Sequence, residues 1–503
     1  MQTSLFEEFN VADYSDWKIT NFSADSLIAS DARRELEEKY FPLIEVTDDF
    51  NRKSVSFQLS KNEAIHGWLK YKEGFSADLV NKFLKEFGCK KGDIILDPFM
   101  GSGTTALVAI LNDMDSVGYD ILPMSKISIL AKSSVLKYDL SEIEKMIDQI
   151  TNTEVPASYT KKTNEISTTS DAYPKNNGVE IEYFTELIGE SEYSDLAKNL
   201  FTLCTLNTLE KVSYSAKDGQ YLRWDCRCPK IIEAEKARLA AGKKPFVVRL
   251  YKGEIPSFKK AVVDELNKVT EDIKYVQNHS SNSGFNNKCD IIEGSALFNL
   301  PLLPDNTISG VVSSPPYCNR YDYTRTYALE LAYLGKNDSD VKQLRQDLLS
   351  CTVENKSKRE SIRDFYNKIG RLSDFEKVEE IIANCSALTE TLEALKARSL
   401  KGEINNKGVL KMVEGYFYEL AFIFFEIFRA SKSGAGIAFV NDNVRYAGEV
   451  VQVDFITCAL AEAIGFNIKK VYALKQKKGN SSQQMKKYGR VALRKSITVW
   501  EKP

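Results

Sequence analysis

The sequence predicts an α/β fold in which one sheet core is interrupted by two insertions. The stretch "GDIILDPFMGSGTTALVAILNDMDSVGYDILP" (92–123) indicates a strand–turn–helix–strand unit. Its parts are a strand Ile94–Asp97, a glycine turn, a helix from about Thr104 to Asn112, and a strand Ser116–Asp120. The same alternation resumes at 289–301 and 307–317, whereas 138–285 and 336–410 are polar, charged and largely helical in pattern.

The composition is that of an ordinary globular protein. A chain of 503 residues has the length of roughly two to four domains of about 150 residues each. Nine scattered cysteines favour a reducing compartment. The N-terminal "MQTSLFEEFNVADYSDW" has no basic or apolar signal region, and no apolar run reaches the ~18 residues that span a bilayer. We therefore expect a cytoplasmic protein without a membrane segment.

Charge is distributed unevenly along a chain whose net charge is −2. Residues 1–50 hold twelve Asp and Glu against four Lys and Arg, and residues 469–503 hold eleven Lys and Arg against one Glu. A local basic surface can bind phosphates on a chain that is neutral as a whole. Lys477, Lys478 and Arg490 are thus candidates for phosphate contact; the alternative is a solvated charged face.

The remaining elements follow from periodicity and from helix-capping residues. In "HGWLKYKEGFSADLVNKFLKEFG" (66–88), Ser76 is a predicted N-cap and Gly88 a predicted stop. Pro123 opens a helix, and "YFYELAFIFFEIF" (416–428) fits a buried one. The predicted units are an acidic extension 1–60, a core made of 61–137, 286–335 and 411–503, and the insertions 138–285 and 336–410.

The turn "DPFMGSGTT" lies between a strand and a helix. Its glycines permit positive φ and close backbone approach, and the helix N-terminus beyond them offers free N–H groups. Asp120 ends the next strand, where a carboxylate can accept both hydroxyls of a ribose. No Gly-Lys-Ser/Thr follows, so the turn is not a P-loop. S-adenosylmethionine and a nicotinamide dinucleotide both satisfy this pattern.

A second corner, "SSPPY" (313–317), follows a buried strand. Ligands of open α/β sheets bind beyond the carboxyl ends of the strands. Pro315 and Pro316 fix the backbone there, so Ser314 is held at the rim and Tyr317 is expected to present an exposed ring. An acceptor beside a stacking ring suits a planar heterocycle that carries an exocyclic amine.

These two motifs together resemble those of the S-adenosylmethionine-dependent DNA amino-methyltransferases. "DPFMGSGTT" is similar to the cofactor loop of that family, and "SSPPY" is similar to its catalytic motif. The segment "WLKYKEGFSADLV" resembles the cofactor-covering motif that precedes the loop. The resemblance covers about half of the chain. It implies a Rossmann-like methyltransferase sheet with a C-terminal antiparallel hairpin and two largely helical insertions.

The resemblance also implies roles for individual residues and a flipped target base. It assigns catalysis to Ser314, Pro315, Pro316 and Tyr317. It assigns cofactor binding to Phe75, Asp97, Pro98, Phe99, Gly101, Ser102, Gly103, Thr104, Asp120 and Ser295. Ser295 departs from the family, in which an acidic residue usually stands there. Substrate contacts are predicted for Asn319, Tyr321, Asp322 and Arg325; the alternative for Asn319, Asp322 and Arg325 is that they cap the following helix, "YALELAYLG" (327–335).

Ser-Pro-Pro-Tyr is typical of family members that methylate cytosine N4, and Asp/Asn-Pro-Pro-Tyr of those that methylate adenine N6. The sequence therefore favours a cytosine-N4 methyltransferase that acts on double-stranded DNA at a specific short site. A cognate restriction endonuclease is a possible partner. Adenine N6, guanine N2 of tRNA and a catalytically silent DNA-binding relative remain alternatives. The larger insertion, 138–285, is the candidate target-recognition region, and 336–410 is a second candidate for DNA contact.

Two other motifs carry less weight. Cys318 lies near the motif, but it does not follow a single proline as the nucleophile of cytosine-C5 enzymes does. "DCRCP" (225–229) has the wrong spacing for a zinc site and no second Cys/His pair. We expect no metal.

Overall fold

Twelve strands and eighteen α-helices are found in the part of the chain that the structure describes. The structure is a computed structural model, which describes residues 28–47, 50, 54–55, 63–71, 74–160, 166–218, 221–246, 250–279, 287–474, 488 and 493–503. The strands are β1 Ile44–Thr47, β2 Ile94–Asp97, β3 Asp115–Asp120, β4 Ser215–Asp218, β5 Tyr221–Trp224, β6 Cys289–Glu293, β7 Ile308–Ser313, β8 Ser431–Asp442, β9 Val444–Tyr446, β10 Glu449–Val451, β11 Asn467–Leu474 and β12 Lys495–Glu501.

Eight of these strands form one sheet, in the order β1-β11-β12-β8-β7-β2-β3-β6. All neighbours are parallel except at β12, which is antiparallel to both β8 and β11. The predicted Rossmann-like sheet and its C-terminal antiparallel hairpin are therefore confirmed. The carboxyl ends of β2, β3, β6 and β7 meet at one edge, as parallel strands require.

The helices follow the capping signals of the sequence. The backbone N–H of Leu79 donates to the Ser76 hydroxyl (3.4 Å), and Gly88, at φ +68°, follows the helix end. Pro123 is the first residue of its helix. The helices are α1 Asp31–Tyr40, α2 Ala77–Glu86, α3 Thr104–Leu111, α4 Pro123–Ser133, α5 Leu140–Asn152, α6 Lys175–Gly189, α7 Asp195–Val212, α8 Pro229–Ala240, α9 Phe258–His279, α10 Ala296–Asn299, α11 Tyr323–Thr326, α12 Ala328–Tyr333, α13 Asp338–Asp347, α14 Arg359–Lys368, α15 Leu372–Ala383, α16 Ser386–Leu400, α17 Gly408–Ala430 and α18 Val453–Ile464.

The main core lies between the sheet and α17. This helix is buried along most of its length, as predicted for 416–428. The Phe424 ring meets Trp500 of β12 edge-on at 4.8 Å, and Phe439 of β8 stacks on the same indole. On the opposite face, α2 and α3 pack against β2. Burial of these aromatic rings is the main force that holds helices to sheet.

The N-terminal acidic segment contributes to the folded core. Strand β1 extends the sheet beside β11. Arg33 of α1 is fully buried, and its guanidinium bonds Glu390 of α16 and Glu449 of β10. Glu37 accepts from Arg494, which is also buried. The unit boundaries that the sequence suggests stay predictions.

Both insertions are mostly helical where they are described. Helices α5, α6, α7 and α9 pack with α4 in a second hydrophobic cluster, which is separate from the cluster under the sheet. The two-stranded β4–β5 hairpin follows α7, and its strand β5 packs against α11. Helices α13 to α16 form the second insertion. None of the described helices combines the length and the apolar character that a bilayer crossing requires.

Candidate active site

The glycine turn joins β2 to α3 and leaves no room for side chains at its two glycines. Gly101 has φ +53° and Gly103 has φ +84°. A Cβ atom on Gly103 would lie 2.3 Å from Cγ1 of Ile129, and one on Gly101 would lie 2.9 Å from Cε1 of Tyr71. Each of these two positions therefore requires glycine for two reasons: its φ is positive, and a neighbouring side chain approaches the backbone closely.

Two aspartates at the ends of neighbouring strands hold this turn. Asp97 is buried and accepts from the backbone N–H of Phe99 (3.0 Å) and from the hydroxyl of Ser313 (2.6 Å). Asp120 accepts from the N–H groups of Gly101 (2.7 Å) and Leu122 (2.8 Å). The aspartates thus tie β2, β3 and β7 together at the edge where their carboxyl ends meet.

Desolvation raises the pKa of both carboxyl groups. The pKa of Asp97 is raised to about 6, although the bonds from Ser313 and Phe99 oppose the shift. The pKa of Asp120 is raised to about 7, against the bonds from Leu122 and Gly101. A carboxylate at Asp120 therefore becomes fully available as a hydrogen-bond acceptor only above neutral pH.

A buried lysine lies beneath the turn. The ammonium group of Lys132 donates to the carbonyl of Ser102 (2.9 Å) and to that of His66 (3.3 Å). Burial lowers the pKa of Lys132 to about 7, and burial next to this lysine lowers the pKa of His66 to about 4. Ser128 donates to the same Ser102 carbonyl (3.2 Å). No sequence pattern indicated this support from α4.

The Ser-Pro-Pro-Tyr corner is less exposed than the sequence suggests. Ser314 is half-buried, and its hydroxyl lies 3.3 Å from the Tyr317 hydroxyl and 3.4 Å from the carbonyl of Val440. Tyr317 is only 1% exposed, and the ammonium of Lys495 lies 4.8 Å from its ring centroid. The ring is therefore a buried wall of the corner, and Ser314 is its most accessible side chain.

The two corners meet in one cleft of about 760 Å³, counted out to its mouth. Ten of the predicted site residues line it: Phe75, Pro98, Phe99, Gly101, Ser102, Thr104, Asp120, Ser295, Ser314 and Pro316. Four others support it from outside the lining: Asp97, Gly103, Pro315 and Tyr317. The glycine turn and Ser314 thus line one cleft, although more than 200 residues separate them.

Part of the cleft wall comes from residues that the sequence analysis missed. Tyr71 and Tyr323 line the cleft and stack on each other, with ring centroids 6.5 Å apart. Leu348 and Leu349 of the second insertion and Ile423 of α17 complete an apolar side. Tyr71 lies in the segment "WLKYKEGFSADLV", so the resemblance of that segment to the cofactor-covering motif could have indicated this residue. The three aliphatic residues belong to no motif.

The predicted substrate residues lie outside the lining, in a capping network. Asp322 accepts from the N–H of Thr324 (3.0 Å) at the start of α11 and pairs with Arg325 (3.1 Å) and Arg345 (2.9 Å). Tyr321 is buried, and Asn319 accepts from its N–H (3.0 Å). Asp322 thus caps α11, the short helix that precedes the predicted helix at 327–335. Substrate contact by these residues stays a prediction. Lys477, Lys478 and Arg490 lie outside the described residues.

Comparisons with known proteins give the family. A family model described as DNA methylase matches residues 15–127. The Type II methyltransferase M.BsoBI of Geobacillus stearothermophilus is 49% identical over 495 residues, which cover 97% of this chain and 95% of the relative. The chain belongs to the Type II DNA methyltransferases of the N6/N4 family.

Other relatives of this methyltransferase support the assignment. The Type II methyltransferase M.AvaI of Nostoc sp. is 36% identical over 493 residues and covers 95% of each chain. M.MjaII of Methanocaldococcus jannaschii is 37% identical over only 92 residues, 18% of this chain. No solved structure matches the chain. The resemblance stated from the two motifs is therefore confirmed.

The methyl donor of this family is S-adenosylmethionine, and the cleft of this methyltransferase suits it. The lining offers a carboxylate at Asp120 for the ribose and free N–H groups at the start of α3 for the methionine carboxylate. Apolar groups such as Phe75 and Ile121 face the remainder. Among the described residues, no three His, Cys, Asp or Glu side chains cluster as metal ligands do.

Proposed function

We propose that this methyltransferase modifies the exocyclic N4 of a cytosine that is flipped out of double-stranded DNA at a specific short site. The observation that carries the proposal is the single cleft that holds both the Gly101–Thr104 turn and Ser314. A base inside a duplex cannot reach such a cleft, so the target nucleotide must leave the helix.

The proposed roles follow from the chemistry of an aromatic amine. Bound S-adenosylmethionine supplies an electrophilic methyl group. The lone pair of the cytosine amine is delocalised into its ring, so the enzyme must orient the amine. Ser314 accepts a hydrogen bond from one amine proton and thereby turns the lone pair toward the donor. Tyr317 and the two prolines hold that hydroxyl in place, and positioning of this kind supplies most of the rate gain.

Binding of the donor is proposed to rest on residues of the glycine turn. Thr104 and its neighbours at the start of α3 hold the carboxylate end, and Asp120 accepts from the ribose hydroxyls. Phe75 and Phe99 cover apolar parts of the donor. Ser295, which lines the same cleft, is proposed to accept from the adenine amine. Asp97 positions the turn and does not touch the ligand.

Cytosine is favoured over adenine because Ser314 stands where adenine enzymes of this family carry Asp or Asn. The test is to express the enzyme in a host that lacks DNA methylation, digest the DNA and separate the nucleosides by mass spectrometry. N4-methylcytosine is the expected product. N6-methyladenine alone would overturn the choice of base, and DNA from cells that carry Ser314→Ala is the control.

We further propose that the enzyme belongs to a restriction–modification system with a cognate endonuclease. The name "Type II methyltransferase" of its relatives supports this. Sequencing that detects modified bases would give the methylated site. DNA from expressing cells should then resist an endonuclease that cuts that site, and cleavage at the unmodified rate would contradict the proposal.

A further inference from the structure

One segment of the first insertion projects from the rest of the enzyme. This segment, which we call the arm, consists of residues 229–246: helix α8 and the chain that returns along it. None of the twelve residues of α8, all of them described, is buried. Its apolar side chains are exposed, Ile232 by 41% and Leu239 by 51%. A helix with no buried residue and with large apolar groups in solvent is a candidate for contact with a partner.

The arm is held firmly at its base. The buried carboxylate of Asp225 pairs with Arg227 (2.8 Å) and accepts from the N–H of Lys252 (2.8 Å). The N–H of Cys226 donates to the carbonyl of Leu250 (2.9 Å), which closes the two ends of the arm on each other. The bonds at the base of the arm therefore fix its two ends to the rest of the enzyme.

The base of the arm adjoins the wall of the cleft. It continues directly from β5, which packs against α11, and Tyr323 of α11 lines the cleft. Lys217 of β4 pairs with Glu330 and lies 4.5 Å from the ring centroid of Tyr327. Tyr327 stacks on Tyr71, a second lining residue. A duplex that delivers a base into the cleft therefore passes near the arm.

The charge of the arm is opposite in sign to that of the whole chain. Residues 229–246 hold five basic and two acidic side chains, a net charge of +3, whereas the chain carries −2. The basic residues are Lys230, Lys236, Arg238, Lys243 and Lys244. Lys230 is engaged at the base, where it donates to the carbonyl of Thr168 (2.7 Å). Lys236, Lys243 and Lys244 are exposed. This charge complements a phosphate backbone.

We propose that α8 enters the major groove beside the target base, with Lys236, Lys243 and Lys244 on the flanking phosphates. This inference rests on the proposed function. The major groove is about 12 Å wide and admits one α-helix, whose diameter with side chains is about 10–12 Å. Exposed Ile232 and Leu239 suit contacts with thymine methyl groups, and the exposed Glu233 can accept from cytosine amines.

The test compares two triple variants in DNA binding at several salt concentrations. The arm variant carries Lys236→Gln, Lys243→Gln and Lys244→Gln. The control carries Lys91→Gln, Lys288→Gln and Lys469→Gln, whose side chains are 76%, 72% and 48% exposed. The control lysines lie near the amino ends of β2, β6 and β11, on the edge opposite the cleft. Both variants lose three positive charges.

The expected result is a change in the slope of log Kd against log salt concentration. Each lost phosphate contact lowers the magnitude of the slope by about 0.9. The slope of the arm variant should therefore be shallower than that of the wild type by up to about 2.7. The control should keep the wild-type slope. An arm variant with the wild-type slope would overturn the proposal, as would a partner other than DNA.

Ligand binding and methylation, measured beside the salt slope, distinguish failure of this inference from failure of the proposed function. S-adenosylhomocysteine should bind both variants as it binds the wild type, which shows that they are folded. If the wild type methylates DNA while the arm variant keeps its slope, only the arm assignment fails. If the wild type neither binds nor methylates a duplex with the mapped site, the proposed function fails as well.

Discussion

Two adjacent serines at the end of β7 have different partners and therefore different expected roles. The Ser314 hydroxyl faces the cleft, whereas the Ser313 hydroxyl bonds the buried Asp97 (2.6 Å). We expect Ser314→Ala to lower kcat by roughly tenfold to a hundredfold, because one hydrogen bond made as charge develops is lost. Binding of S-adenosylhomocysteine should be unchanged.

Ser313→Ala is the matched comparison. It removes a hydrogen bond to a buried acid, so it should lower the free energy of unfolding by about 1–3 kcal/mol. Its kcat at saturating donor should stay close to that of the wild type. Tritium transfer to DNA and urea unfolding measure the two effects. Equal losses of kcat in both variants would contradict the distinction.

The protonation of Asp120 gives a predicted pH dependence of donor binding. Ribose hydroxyls donate to the carboxylate, so binding requires the ionised form. The pKa of this acid is raised to about 7 by desolvation. Affinity for S-adenosylhomocysteine should therefore increase as the pH rises from 6 to 8, by up to tenfold per unit below the pKa. Isothermal titration calorimetry at several pH values measures this.

Asp120→Asn should bind the ligand more weakly and should remove this rise. Asp97, with a pKa of about 6, and Lys132, with a pKa of about 7, also titrate near the turn. Lys132 loses its charge as the pH rises, which would weaken the binding of an anionic group. This change in affinity has the opposite sign to the rise expected from Asp120. A rise that persists in Asp120→Asn would therefore exclude Asp120 as its origin.

At the scale of elements, the β2–α3 turn depends on a glycine for two separable reasons. Gly103 and Gly92 have nearly the same φ, +84° and +83°, but a Cβ atom at Gly92 would meet nothing within 4 Å. Gly92→Ala should cost only the conformational strain, about 1–2 kcal/mol. Gly103→Ala adds a clash with Ile129 and should cost about 1–3 kcal/mol more.

Urea unfolding of the two variants gives this difference directly. In the double variant Gly103→Ala/Ile129→Ala, the added Cβ atom at position 103 should no longer clash with the side chain at position 129. Its cost should then equal the sum of the strain and the cavity at position 129. Equal destabilisation by Gly92→Ala and Gly103→Ala would show that Ile129 moves away freely.

The β4–β5 hairpin is attached to the cleft wall through a buried ion pair. The side chains of Lys217 and Glu330 are 6% and 4% exposed. Lys217→Met leaves a carboxylate without its partner and should lower the free energy of unfolding by about 3–5 kcal/mol. Lys217→Met with Glu330→Gln should recover most of this loss, because no buried charge remains. A double variant as unstable as the single one would contradict this account.

How much of the structure could be predicted from the sequence differs between kinds of elements. Strands β2, β3 and β7, the turn after β2 and helix α2 were predicted because local patterns specify them: apolar runs for the strands, paired glycines for the turn and the N-cap Ser76 for α2. The capping role of Asp322 was an alternative that sequence could not decide. Leu348, Leu349 and Ile423 could not be found, since their place in the cleft depends on tertiary packing of distant helices.

At the scale of the whole molecule, the two ends of the chain are joined by buried charges. Arg33 near the N-terminus pairs with Glu449 (3.1 Å), which also pairs with Arg398 (2.9 Å). No composition or periodicity signal could reveal such pairs, because 416 residues separate Arg33 from Glu449. The acidic composition of residues 1–50 predicts an acidic N-terminal extension, and part of this negative charge, at Glu37, serves in an internal ion pair with Arg494.

We expect Arg33→Met to lower the free energy of unfolding by about 3–5 kcal/mol, since Glu449 and Glu390 lose a buried partner. Arg34→Met is the matched control, because Arg34 is exposed on the same helix and its guanidinium bonds the nearby Ser30 hydroxyl (2.9 Å). The control should change stability by less than about 0.5 kcal/mol. Similar effects of both substitutions in denaturant unfolding would contradict the structural role of α1.

The position of β12 has a consequence for synthesis. It comes later in the sequence than β8 and β11, yet it lies between them and pairs with both. This part of the sheet can therefore close only after residues 495–501 have left the ribosome. A stop codon just before Lys495 would remove an interior strand, and the shortened product would be unable to mature.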